Sequence, residues 1–122
     1  MNEIRRLRLE KTIIRELAER LHRRKTKDDR LGFFSVVRCE LLPDLSEARV
    51  FFSLFGDDEA NQDTWRAITM ARRDLQSAIS RDLRLRLTPT FVFQKDTSIQ
   101  EGDLLLQKID AESKAKSKID SE

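Results

Sequence analysis

A single cysteine among 122 residues, Cys39, leaves no partner for an intrachain disulfide. A single histidine, His22, puts a Cys/His zinc site out of reach. Tyrosine is absent. There are only two prolines, Pro43 and Pro89, and three glycines, Gly32, Gly56 and Gly102. The glycines stand too far apart to form a phosphate-cradling loop. No apolar run approaches the roughly 18–20 residues of a membrane helix, so no membrane contact is expected. The arginine-rich start has no apolar core and carries Glu3, Glu10, Glu16 and Glu19, so it reads as neither a secretory signal nor a mitochondrial presequence.

Catalytic groups are just as scarce. Ser35, Ser46, Ser53 and Ser98 have no histidine nearby to act as base. His22 sits alone in a charged helix. Cys39 lies in an apolar strand, where a thiol behaves as a small hydrophobe. Asp57, Asp58 and Glu59 match no calcium loop and read as a helix start. The chain is therefore expected not to be an enzyme and to hold no metal or cofactor. Its cysteine usage suits a reducing cytoplasm.

What is abundant is charge. Charged residues make up 38% of the chain, against about 25% in a usual soluble domain. The net charge of +2 conceals strong segregation. Residues 1–30 carry 11 Lys/Arg against 6 Asp/Glu, and residues 66–86 carry 6 against 2. Residues 31–65 carry 2 against 7, and residues 87–122 carry 5 against 7. The cations of both basic segments are mostly arginine, which makes planar bidentate contacts with phosphate. That favours a nucleic-acid partner over a membrane surface.

Hydrophobic spacing gives the elements. Ile4, Leu7, Ile14, Leu17, Ala18 and Leu21 predict an amphipathic helix over 2–24. Residues 33–42 predict a strand, and Pro43-Asp44-Leu45-Ser46 a turn. In the next strand Ala48, Val50, Phe52 and Leu54 form one face. Trp65, Ile68, Leu75, Ile79 and Leu83 predict a long helix over 60–84, with a break plausible at 71–74, where the apolar stripe thins. Pro89 ends helical structure, and Thr90–Gln94 predicts a third strand. Residues 99–109 predict a short packing helix. Residues 110–122 are polar and predict a disordered tail after a single domain over 1–109. Three strands with helices on one face make a two-layer α+β domain.

The candidate contact residues are Arg5, Arg8 and Arg15 on the first helix, and Arg72, Arg73, Arg81, Arg84 and Arg86 on and after the second. Cations recurring along a helix can track a phosphate backbone. Phe51 and Phe55 on the outer strand face offer stacking surfaces or packing against a helix. A competing reading is a protein–protein adaptor whose acidic 57–63 segment meets a basic partner.

Asp29-Arg30-Leu31-Gly32-Phe33, Pro43-Asp44-Leu45-Ser46 followed by Ala48-Arg49-Val50, Leu83-Arg84-Leu85-Arg86 with Pro89, and Asp96-x-Ser98-Ile99 occur in order. Together they resemble the ribosome-binding factor A family over about residues 2–109. The resemblance implies a type II KH-like fold: helix, two strands, a kinked helix pair and a third strand. It implies a kink element at Ala71, Arg72 and Arg73, with Arg73 standing where the family has glycine. It also implies a ribosome assembly factor that binds the immature 30S subunit and its 16S rRNA near the neck. Such a factor acts in late maturation and rRNA processing, above all in the cold. It works with assembly GTPases and leaves before translation initiation. The expected form is a cytoplasmic monomer.

Overall fold

The computed structural model describes residues 2–86 and 88–96. The expected 99–109 helix and 110–122 tail lie outside the described residues. Five elements follow one another: α1 (Glu3–Lys25), β1 (Phe34–Leu41), β2 (Glu47–Leu54), α2 (Asp58–Leu83) and β3 (Thr90–Lys95). Each lies within two residues of its predicted bounds.

Asn2 starts α1: its side chain accepts from the Arg5 N–H at 2.9 Å. His22, Arg23, Arg24 and Lys25 fill the last turn, where cations complement the helix dipole. Ile13, Leu17 and Leu21, four residues apart, form its fully buried stripe. Glu10 reaches from α1 to the Leu41 N–H at 2.8 Å, which satisfies one donor on β1.

β1 pairs antiparallel with β2, from Phe34 opposite Leu54 to Leu41 opposite Ala48. The register slips between Val36 and Arg38, so Val37 is an extra residue. Simple alternation from Phe34 and Val36 would turn Arg38 and Glu40 into the core. The bulge resets the phase, so Cys39 and Leu41 are buried instead and the two charges face out. In the β1–β2 turn Asp44 accepts from both the N–H and the hydroxyl of Ser46, and Leu45 takes a positive φ of 64°.

β2 pairs with β3 in parallel, and α2 forms the crossover. The sheet order β1-β2-β3 is that of a three-stranded mixed sheet. Both helices pack on one face, over Val36, Cys39, Val50, Phe52 and Phe91. Phe52 is the hub, edge-on to Phe93 at 4.9 Å and to Trp65 at 5.8 Å. Gly32 approaches α2 closely: a Cβ there would stand 3.1 Å from the Thr64 hydroxyl oxygen. The Gly32 N–H donates to that hydroxyl at 2.9 Å, and the hydroxyl donates to the Arg30 carbonyl.

One element departs from expectation. α2 runs from Asp58 to Leu83 as a single helix, where the resemblance implied a kinked pair. Ala71, Arg72 and Arg73 lie inside it. Alanine and arginine are strong helix formers, and no glycine or proline interrupts this stretch. With arginine at 73, the backbone freedom that a glycine would bring is gone.

Candidate nucleic-acid interface

The two helices present arginines away from the sheet. On α1, Arg8 and Arg15 are seven residues apart and exposed. On α2, Arg66 and Arg73 have the same spacing and are also exposed. Seven residues fall about 20° short of two full turns, so each pair lies on one side of its helix, about 10.5 Å apart along the axis. Arg5, Arg81, Arg84 and Arg86 are exposed as well.

Pairing separates these arginines from the rest. Arg38 binds Glu40 and Asp96, each at 3.1 Å, and covers the Phe51 ring at 3.8 Å. Arg49 binds Glu47 at 2.6 Å. The sheet's outer face is therefore charge-compensated. On the helical layer, Arg5, Arg8, Arg66, Arg73, Arg84 and Arg86 have no carboxylate partner among the described residues. Arg15 and Arg81 make only long contacts, 3.8 Å to Glu16 and 3.6 Å to Asp82. Exposed pairs are weak, yet they cancel the local field, and unpaired cations leave it standing.

Arg72 does not belong to this set. It is half-buried, and its guanidinium reaches the Phe91 carbonyl at 3.5 Å. One turn on, Gln76 donates to the Pro89 carbonyl at 2.6 Å and accepts from the Phe91 N–H at 2.7 Å. Together these side chains occupy the free edge of β3. Arg72 and Arg73 diverge because adjacent helical residues lie about 100° apart, and α2 packs on β3 along the Arg72 side.

Arg84 caps the end of α2 in the left-handed region, at φ 52°. A non-glycine residue there is strained. Arg84→Gly should therefore stabilise the fold by about 0.5–1 kcal/mol while removing a cation. Urea unfolding checks the first effect and subunit binding the second. A gain in stability with a loss in binding would show that the cation is kept for contact.

Two features escaped the sequence reading. Arg66 is one, although its seven-residue spacing from Arg73 carries the signal. The C-terminal part of α1 and the middle of α2 also enclose a cleft of about 530 Å3, lined by Arg20, Arg23, Arg24, Thr26, Lys27, Asp74, Leu75 and Ala78. Its residues are some fifty apart in the chain, so only the packing of the helices brings them together. Arg20 is fixed in its wall by Glu16 at 3.1 Å and Asp82 at 2.5 Å. The hydrogen bond from Arg20 holds the Asp82 carboxyl below its ordinary pKa, and the same bond raises that of Arg20.

The remaining candidates sort readily. Phe51 lies beneath Arg38, while Phe55 is exposed beside the still more exposed Phe33. The Cys39 thiol is pushed up to about 12 by burial, which leaves it protonated and unreactive at neutral pH. Asp57 caps α2 by accepting from the Ala60 N–H at 2.8 Å, and Asp58 and Glu59 fill the first turn. Those acids have a local role in starting the helix. Among the described residues no helix is long and apolar enough to cross a membrane.

Comparison with known proteins agrees with this geometry. The family model described as ribosome-binding factor A matches residues 5–109. Ribosome-binding factor A of Desulfitobacterium hafniense (strain DSM 10664 / DCB-2) is 37% identical over 100 residues, covering 82% of this chain and 79% of that protein. The crystal structure of ribosome-binding factor A from Thermus thermophilus superposes with a TM-score of 0.61 at 30% identity, covering 74% of this chain and 94% of that one. A homology model of the Thermus thermophilus factor, fitted into a cryo-EM map of a 30S–RbfA complex, gives a TM-score of 0.56 at 29% identity, covering 74% and 93%. Fold, motif order and these likenesses converge: the chain belongs to the ribosome-binding factor A family.

Proposed function

We propose that the chain binds the immature 30S subunit through 16S rRNA, using the outward arginines of α1 and α2. It acts late in maturation near the neck, without catalysing a reaction, and departs before initiation. Its setting is the cytoplasm, and it works as a monomer alongside assembly GTPases. The observation that carries this reading is a split in charge compensation: Arg38 and Arg49 on the sheet face are paired, whereas Arg5, Arg8, Arg66, Arg73, Arg84 and Arg86 have no carboxylate partner among the described residues. The fitted Thermus thermophilus complex supports the small subunit as the partner. A binder of this kind works by differential affinity, holding one rRNA conformation over another. A difference of ~2–3 kcal/mol shifts a balanced rearrangement almost completely.

Co-sedimentation with small subunits across a salt series tests the reading. Log affinity should fall linearly with log salt, by about 0.7–0.9 per phosphate contacted. A flat response would overturn the phosphate-contact reading; the adaptor alternative, in which the acidic 57–63 segment meets a basic partner, instead predicts binding that survives removal of the exposed arginines.

A further inference from the structure

The cleft between α1 and α2 holds charges of both signs that do not meet. Asp74 has no hydrogen-bond or ion-pair partner among the described residues, although Arg23, Arg24 and Lys27 line the same cleft. Arg24 acts at a distance on Asp28, whose carboxyl is held by Arg30. Arg23 and Lys27 have no carboxylate partner among the described residues. No ion pair joins them among the described residues, and the half-buried Ala78 lines the cleft beside them. A ligand that satisfies both must carry acceptors for the cations and donors for the carboxylate.

We propose that this cleft takes one unpaired guanine nucleotide of the RNA. Arg23, Arg24 and Lys27 meet its phosphate. The base lies against Ala78, and Asp74 accepts from N1–H and N2–H together. The inference rests on the RNA-binding reading above. Three points select guanine. The volume of about 530 Å3 suits one nucleotide. Unpaired bases expose the edge that side chains can read. Guanine alone offers two adjacent donors that match both oxygens of a carboxylate. Uracil sets carbonyl oxygens beside its one N–H, and adenine and cytosine offer only an amino group beside ring acceptors. Arg20, held by Glu16 and Asp82, gives the site a fixed wall.

The test titrates the full chain with 5′-GMP, 5′-IMP, 5′-AMP, 5′-UMP, 5′-CMP and inorganic phosphate, following backbone amide shifts. The amides of residues 20–27 and 74–78 should move. GMP should bind at least about fivefold more tightly than IMP, which lacks the N2 amino group, and than the other nucleotides. Asp74→Asn and Asp74→Ala should erase that preference while keeping the response to phosphate. Equal affinities for all five nucleotides, shifts elsewhere, or a preference surviving both variants would overturn the guanine pocket. Small-subunit co-sedimentation of the wild type is measured in parallel. Its failure would overturn the subunit reading, whereas its success with equal nucleotide affinities would overturn the pocket alone.

Discussion

Alanine at Arg66, Arg73 and Arg84 together lowers affinity for the small subunit about a hundredfold. The expected size comes from three exposed charged contacts at about 1 kcal/mol each, or ~3 kcal/mol in all, at 1.4 kcal/mol per factor of ten. All three side chains are exposed and, among the described residues, without a carboxylate partner, so removing them breaks no internal ion pair. Thermal stability should stay close to the parent's. The slope of log affinity against log salt should become shallower by about 2–3. The matched control is Arg38→Ala with Arg49→Ala. Those cations are already held by Glu40, Asp96 and Glu47 on the opposite face, so their loss should change affinity little. Quantitative co-sedimentation of both variants against the parent decides the matter. Equal losses from the two would remove the distinction between compensated and free arginines.

Phe52→Ala brings the domain to the edge of unfolding. Phe52 is fully buried in the central strand, with Phe93 and Trp65 edge-on to its ring. Truncating such a phenylalanine costs about 3–5 kcal/mol, through lost burial and the cavity left behind. Stability for a domain of this size lies at about 5–15 kcal/mol. The melting temperature should fall by about 12–40 °C, at roughly 4–8 °C per kcal/mol. Phe33→Ala, at an exposed ring with Lys25 over its face, should shift it by far less. Circular dichroism melts of the two variants test whether the core is centred where the sheet places it. Similar melting points for both would place the core elsewhere.

Much of this fold is legible in the sequence because both of its periodicities are strong. Ile14, Leu17 and Leu21 announce α1, and the alternation of Ala48, Val50, Phe52 and Leu54 announces β2. The β1 bulge is harder to read. Val36 and Val37 are both apolar, and only the three-dimensional pairing shows which one carries the slip. No break divides the helix at Ala71–Arg73, where α2 is continuous from Asp58 to Leu83, and one reason lies in the residue itself: Arg73 favours the helix that a glycine would loosen. Restoring glycine there should cost about 1 kcal/mol of stability.

The candidate site was legible in its chemistry and less so in its geometry. Segment charges identify the two basic stretches, yet they cannot separate Arg73, which points outward, from Arg72, which reaches for the Phe91 carbonyl. That difference depends on which side of α2 packs on β3. The cleft is further from view, because Arg23, Arg24 and Lys27 join Asp74 only through the contact between the two helices. Compensation is equally hidden. Arg49 and Arg66 read alike in the sequence, but Glu47 neutralises the first and nothing among the described residues neutralises the second.

The central claim is that the helical layer, and not the outer face of the sheet, meets rRNA. A photo-crosslinking side chain at position 73 and another at position 49 report on the two faces separately, since both positions are exposed and they lie on opposite sides of the domain. Each variant is bound to small subunits, irradiated and probed for linked RNA. The account predicts strong 16S rRNA crosslinks from position 73 and background from position 49. Crosslinks from position 49 with background from position 73 would contradict it.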